Sequence, residues 1–276
     1  MSWQSKALLD GKAVFFLMGI VFMIAPVSFG AGELKEVKGK HFIAYYNPAV
    51  DLSLVKQLLR EAEGYYDKIA EEIGYARYRD YWTWEDRARI IIYADQEEFM
   101  QKTGLPSWSR GGTARDVELI KTRVIVTYPQ QEDFLDGLLP HEISHLILRD
   151  FIGSGKEIPV WFDEGIAQLQ EKKRGQQAWL IMKQLVEEQG HIPLEALTRI
   201  DIQSVTDPKQ AALFYLQSVS IVDFLINKYG SRQFGELCQQ LKEKNFEEAL
   251  HSAYTAQIES MAELEEKWLK YLKFEL

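Results

Sequence analysis

The sequence predicts an α+β fold in which a mixed sheet with helices is followed by a mostly helical lobe. Strand-like and helix-like patterns alternate up to residue 127, whereas nearly every pattern from Glu132 onward is helical. No linker rich in Pro, Gly or Ser separates the two parts. We therefore expect one functional unit made of an α+β lobe (31–150) and a helical lobe (151–276), with the active site between them.

Strands are predicted where β-branched and aromatic residues cluster: 41–46, 89–93 and 122–127. Helices are predicted where apolar residues recur with helical spacing: 51–73, 95–103, 132–150, 160–174, 176–188, 208–229, 231–242, 245–252 and 258–271. Asp51 is the expected N-cap of the first helix, and Gly74 its C-terminal cap. The strand 122–127 is expected to present an edge to an extended substrate backbone.

The amino-acid composition is that of a globular protein. Of its 276 residues, 46% are apolar and 26% are charged. The 41 acidic and 32 basic residues give a net charge of −9, so a basic excess for binding phosphates is lacking. This argues against nucleic acid as a main partner. The single Cys238 cannot form an intramolecular disulfide.

Residues 1–30 have the pattern of a secretory signal peptide. Two lysines precede an apolar run over 13–27, and small residues follow it, which favours cleavage after Gly30. The run is shorter than the roughly 20 residues of a spanning helix, and Pro26 interrupts it. An uncleaved membrane anchor is the alternative. Either interpretation predicts an extracytoplasmic protein, secreted or periplasmic.

The segment His141-Glu-Ile-Ser-His145 has the pattern H-E-x-x-H. Residues i and i+4 lie on one face of a helix, so the two imidazoles can bind the same cation. Glu142 can then reach a water molecule on that cation without being a ligand. Glu164, on the next predicted helix, can complete a two-histidine, one-carboxylate set that leaves one position for water.

Two segments, Leu139–Leu146 and Pro159–Ala167, together resemble the gluzincin branch of zinc metallopeptidases, and within it the bacterial peptidase MA-like group. The later segment Tyr215–Gly230 is similar to a tyrosine-bearing helix of that group. The resemblance spans roughly residues 40–235 and implies a zincin-like fold.

The resemblance also implies site residues and a cofactor. It assigns one Zn²⁺ per chain to His141, His145 and Glu164, makes Glu142 the general base, and makes Tyr215 a candidate hydrogen-bond donor to the transition state. The donor set suits zinc, although its spacing is compatible with other divalent ions. Thermolysin-like members place an Asp four residues after the ligand Glu to orient a histidine. Here that position holds the uncharged Gln168.

The function favoured by these observations is an extracytoplasmic zinc metallopeptidase that acts on a peptide or protein. One alternative is a metal-binding scaffold or binding protein with little proteolysis, because Gln168 departs from the pattern and Tyr215 lies in an apolar helix where it can be core. A second alternative is a helical protein that carries the motif by chance. The sequence does not indicate whether the protein is a monomer or an oligomer.

Several residues outside the motifs have simpler interpretations. His41, His191 and His251 are expected to be structural or at the surface. The basic run 172–174 is predicted to lie at a helix end, where the helix dipole is enough to explain it. Trp161 and Phe162 are expected to pack in the core or to line the cleft.

Overall fold

The computed structural model describes residues 34–78, 82–104, 111–113, 123–129, 134–153, 155–172, 174–255 and 257–274. The predicted signal peptide, 1–30, lies outside them. In this described part, no helix combines the length and the apolar character needed to cross a membrane. The described residues form two compact units. The first, the sheet unit, runs up to Lys156 and also includes Gln170–Lys172; the second, the helical unit, includes Glu157–Leu169 and the chain from Lys173 onward.

A five-stranded mixed sheet forms the centre of the sheet unit. Its strands are β1 (Lys35–Lys38), β2 (Phe42–Tyr46), β3 (Ala88–Ile92), β4 (Gly111–Thr113) and β5 (Val124–Thr127), in the order β1-β2-β3-β5-β4. The inner strands β2, β3 and β5 are parallel, and the two outer strands pair antiparallel with them. Ala44, Ile90 and Ile125 are fully buried on the inner strands, as expected for strands covered by helices.

The position of β5 corrects one prediction. The sequence predicts a sheet edge at 122–127, but β5 pairs with β3 on one side and with β4 on the other. Gly111–Thr113, which the sequence indicates as loop, supplies the outer strand. Its glycines have low intrinsic strand propensity, so the pairing with Ile125–Thr127 depends on tertiary structure.

Three helices complete the described part of the sheet unit: α1 (Leu52–Glu72), α2 (Gln96–Thr103) and α3 (Leu139–Ile152). The predicted caps of α1 are confirmed, because the Asp51 side chain accepts a hydrogen bond from the Ser53 N–H and Gly74 has φ 77°. A π-helical turn, Phe134–Leu138, leads directly into α3. α1 packs against α3, the helix that carries the H-E-x-x-H motif.

The helical unit contains α4 (Val160–Leu169), α5 (Arg174–Glu187), α6 (Leu194–Arg199), α7 (Pro208–Gln240), α8 (Phe246–Ala253) and α9 (Met261–Phe274). Gly230 breaks α7 with φ 85° and ψ 158°, at the predicted boundary between two helices. An α+β lobe followed by helices is therefore confirmed as the fold class.

The predicted helix 160–174 is wrong at its end. α4 stops at Leu169, and a separate helix begins at Arg174. Lys172 lies in the turn between them rather than at a helix end, and its backbone N–H donates to the carbonyl of Asp136. The dipole explanation for this basic residue is therefore replaced by a specific contact.

Candidate metal centre

His141 and His145 lie one helical turn apart on α3, and their Nε2 atoms are 3.2 Å apart. The rings are nearly perpendicular, at 79°, and both side chains are buried. Two nitrogen ligands about 2.05 Å from a tetrahedral Zn²⁺ would stand about 3.3 Å apart. The observed spacing of the two nitrogens therefore fits a single zinc ion held by both.

The start of α3 accounts for the position of this pair. Pro140 is the second residue of α3, and because the π-helical turn precedes it, its missing N–H leaves a carbonyl of that turn without a helical donor. Glu142 is also in the first turn, where the helix dipole favours a negative charge. It is buried, directly beside His141 in the chain. A buried carboxylate next to a candidate ligand suits the predicted general base.

Glu164 lies on α4 and is 4% exposed. One ligand atom from each of His141, His145 and Glu164 lies within 4.8 Å of the others. Two imidazole nitrogens and one carboxylate oxygen form the donor set of a catalytic zinc site with an open position. The residues present therefore fit the predicted metal ion.

A further carboxylate contacts the first histidine. Glu171 Oε1 lies 3.1 Å from His141 Nδ1, and its side chain is 11% exposed. A carboxylate at this distance favours the tautomer with the proton on Nδ1, which leaves the Nε2 lone pair for a cation. The sequence alone does not indicate Glu171, because this residue falls inside the predicted helix 160–174.

Two other predicted residues, Tyr215 and Gln168, are both buried. Tyr215 lies on α7 with its ring edge-on to Phe214, at 5.4 Å between centroids. Gln168 lies on α4, one turn after Glu164, and is 1% exposed. The role of Tyr215 as a donor and that of Gln168 in orienting a histidine stay predictions.

The remaining histidines are structural or at the surface, as predicted. His41 is fully buried, its Nδ1 lies 2.7 Å from Glu63 Oε2, and its ring stacks on Tyr66. Burial lowers the pKa of His41, and the neighbouring Glu63 carboxylate opposes that effect. His191 lies 3.6 Å from Glu265, and His251 is exposed.

The aromatic residues before Glu164 pack in the core of the helical unit. Trp161 and Phe162 are fully buried. The ring of Phe162 stacks on that of Phe234, with 5.5 Å between centroids. The rings of Trp161 and Phe162 both contact the ring of Phe246. Trp161 Nε1 also donates to Thr198 Oγ1 at 3.1 Å. These contacts fix α4 in the helical unit, and with it the backbone that carries Glu164.

Comparison with known families adds one finding. The family model described as the Peptidase MA superfamily matches residues 84–274. The matched segment contains both candidate histidines and the three glutamates at 142, 164 and 171. No curated protein matches the chain.

Proposed function

The chain belongs to the Peptidase MA superfamily, and from this we propose that it is an extracytoplasmic, zinc-dependent peptidase of the gluzincin type. The observation that carries the proposal is the approach of His141, His145 and Glu164 to within 4.8 Å through their ligand atoms. Membership of the family alone supports a metallopeptidase-like function. The donor set is what favours zinc and peptide hydrolysis.

In this proposal the three residues hold one Zn²⁺, the histidines through Nε2. When bound, the ion supplies Lewis-acid chemistry that activates water and polarises a carbonyl. Glu142 accepts the proton of the attacking water and later transfers it to the leaving amine as the C–N bond breaks. Tyr215 is the candidate donor to the developing oxyanion.

The proposed substrate is a peptide or protein outside the cytoplasm. This location rests on the signal-like pattern of residues 1–30, which are also the proposed contact with a membrane where they are retained. The net charge of −9 supports the exclusion of nucleic acid as a main partner.

The test combines metal analysis with a search for cleavage. Purified protein is expected to contain one zinc per chain by elemental analysis and to cleave a mixed peptide library, with mass-spectrometric detection, until a chelator is added. Glu142→Gln should keep the zinc and lose turnover by about 10²-fold or more, since a general base contributes 10²–10⁴-fold. Glu157→Gln, the same change at an exposed glutamate, is the matched control.

Each other outcome contradicts a defined part of the proposal. Undiminished hydrolysis by Glu142→Gln would remove Glu142 from the mechanism. One zinc per chain without chelator-sensitive cleavage would favour the metal-binding scaffold. A chain without stoichiometric metal would overturn the ligand set itself.

A further inference from the structure

The turn Gln170–Lys172 is attached to the segment that begins α3. The backbone N–H of Lys172 donates to the carbonyl of Asp136 at 3.1 Å, and its Nζ donates to the Asp136 carboxylate at 2.6 Å. Tyr65 donates its hydroxyl to the same carboxylate at 3.3 Å. The contact with Lys172 holds the pKa of the Asp136 carboxyl below its usual range. Three donors from two elements thus converge on one aspartate.

Pro140 explains why the Asp136 carbonyl is available to this turn. In an α-helix that carbonyl would accept from the N–H four residues later, which is residue 140, and proline has none. The carbonyl accepts instead from Lys172. The neighbour of Lys172 in the turn is Glu171, so this bond fixes the backbone from which Glu171 reaches His141.

We propose that Glu171 is the positioning residue of His141, a role that rests on the proposed metal site. Its carboxylate holds the imidazole in one orientation and in the Nδ1–H form, so that Nε2 faces Nε2 of His145. Gln168 cannot supply this charge, because its amide is neutral. A carboxylate that accepts from a ligand histidine raises the basicity of that ligand.

Zinc affinity in Glu171→Gln provides the first test. Glutamine keeps the size and one acceptor oxygen but loses the charge, and we expect zinc to bind about 10- to 100-fold more weakly in a chelator competition. Glu157→Gln should bind zinc as tightly as the wild type. The melting temperatures of both metal-free variants should match that of the wild type within about 2 °C, since the side chain at 171 acts on the ligand rather than on the core.

A proton NMR signal separates positioning from general support of the structure. In the zinc-loaded wild type, the His141 Nδ1–H should give a low-field resonance that exchanges slowly with water, because the buried imidazole donates to a carboxylate that is only 11% exposed. In Glu171→Gln this resonance should move upfield and exchange faster, and in Glu157→Gln it should be unchanged.

A second variant covers the case in which Glu171→Gln does not fold. Glu171→Asp keeps the charge on a shorter side chain, and its affinity for zinc should be lower than that of the wild type but higher than that expected for the loss of the charge.

The results distinguish this inference from the proposed function. Wild-type affinity and an unchanged resonance in Glu171→Gln, with the wild type binding zinc and cleaving peptides, would overturn the role of Glu171 alone. A wild type that binds no zinc would overturn the proposed function. The resonance of the metal-free wild type would then still decide whether Glu171 holds the Nδ1 proton.

Discussion

Gly165 lies directly against the backbone carbonyl of Ser218. A Cβ at position 165 would stand 2.6 Å from that oxygen and 2.7 Å from Cγ2 of Val222. α4 and α7 can approach this closely only where α4 carries a glycine. The residue beside Gly165 in the chain is Glu164, so the depth at which the candidate ligand sits in the helical unit depends on this contact.

Replacing Gly165 with alanine should therefore destabilise the protein. The added methyl group meets backbone, which cannot rotate away, and overpacking of this kind costs about 1–3 kcal/mol. Urea unfolding followed by circular dichroism measures the effect. Gly64→Ala is the matched control, since Gly64 is exposed within α1 and a Cβ there meets nothing within 4 Å. We expect that change to stabilise the protein by about 0.5–1 kcal/mol. Equal effects of the two substitutions would show that α4 can move without cost.

Glu164→Ala should remove most of the bound metal. It takes away the one anionic member of the candidate ligand set, and two histidines alone leave a weaker site. Zinc content after dialysis, measured by elemental analysis, should fall from one per chain to well below half. Glu187→Ala, at an exposed position of α5, should retain its zinc. Full zinc content in Glu164→Ala would show that another residue holds the ion.

His41 should make the protein less stable in mild acid. Because burial lowers its pKa in the folded state, the folded protein binds fewer protons than the unfolded chain. The associated stability is fully present above the unfolded pKa of 6.5 and is lost as the pH falls from there through the lowered folded-state pKa. One proton contributes at most about 1.4 kcal/mol per pH unit.

The measurement compares the wild type with His41→Gln. The free energy of unfolding is measured in urea at about pH 7.5 and at about pH 5.5. The decrease between these two pH values should be larger for the wild type than for the variant. The comparison of the two chains cancels the contribution of titrating groups that do not contact His41. Parallel pH dependence in the two proteins would show that His41 binds protons equally in the folded and unfolded states.

Cys238 should react with a thiol reagent only when the helical unit opens. The thiol is fully buried, and burial raises its pKa, so the reactive thiolate is scarce in the folded protein. We expect Ellman's reagent to react at least about 100-fold more slowly with the native protein than in urea. The single cysteine makes the signal unambiguous. Rapid reaction under native conditions would contradict the packing around α7.

The sequence predicted the elements that local chemistry determines. Asp51 and Gly74 bound α1 because capping acts over one helical turn, and the spacing of His141 and His145 follows from the helical repeat itself. The ligand atoms of His141, His145 and Glu164 lie within 4.8 Å of one another, and the ligand set that the family resemblance implied stays a prediction. The catalytic roles stay predictions.

The sequence could not predict what distant contacts determine. α4 ends at Leu169, shortly before Lys172 donates a hydrogen bond to Asp136, a residue 36 positions earlier in the chain. The helical spacing of apolar residues does not indicate such a distant bond. The strand β4 likewise consists of Gly-Gly-Thr and exists through its pairing with β5. Pro140 leaves a carbonyl of the preceding turn without a helical donor, but nothing in the sequence identifies Lys172 or Glu171 as the residues that lie near it.

That freed carbonyl has a consequence for how changes are tolerated near the motif. An ordinary residue at 140 would bring an amide proton from α3 to the Asp136 carbonyl, in competition with the one from Lys172. The start of α3 would become more regular, and the turn that bears Glu171 would keep only the side-chain contact between Lys172 and the Asp136 carboxylate. A substitution at 140 that stabilises α3 as an isolated helix would thus weaken the contact by which Glu171 orients His141.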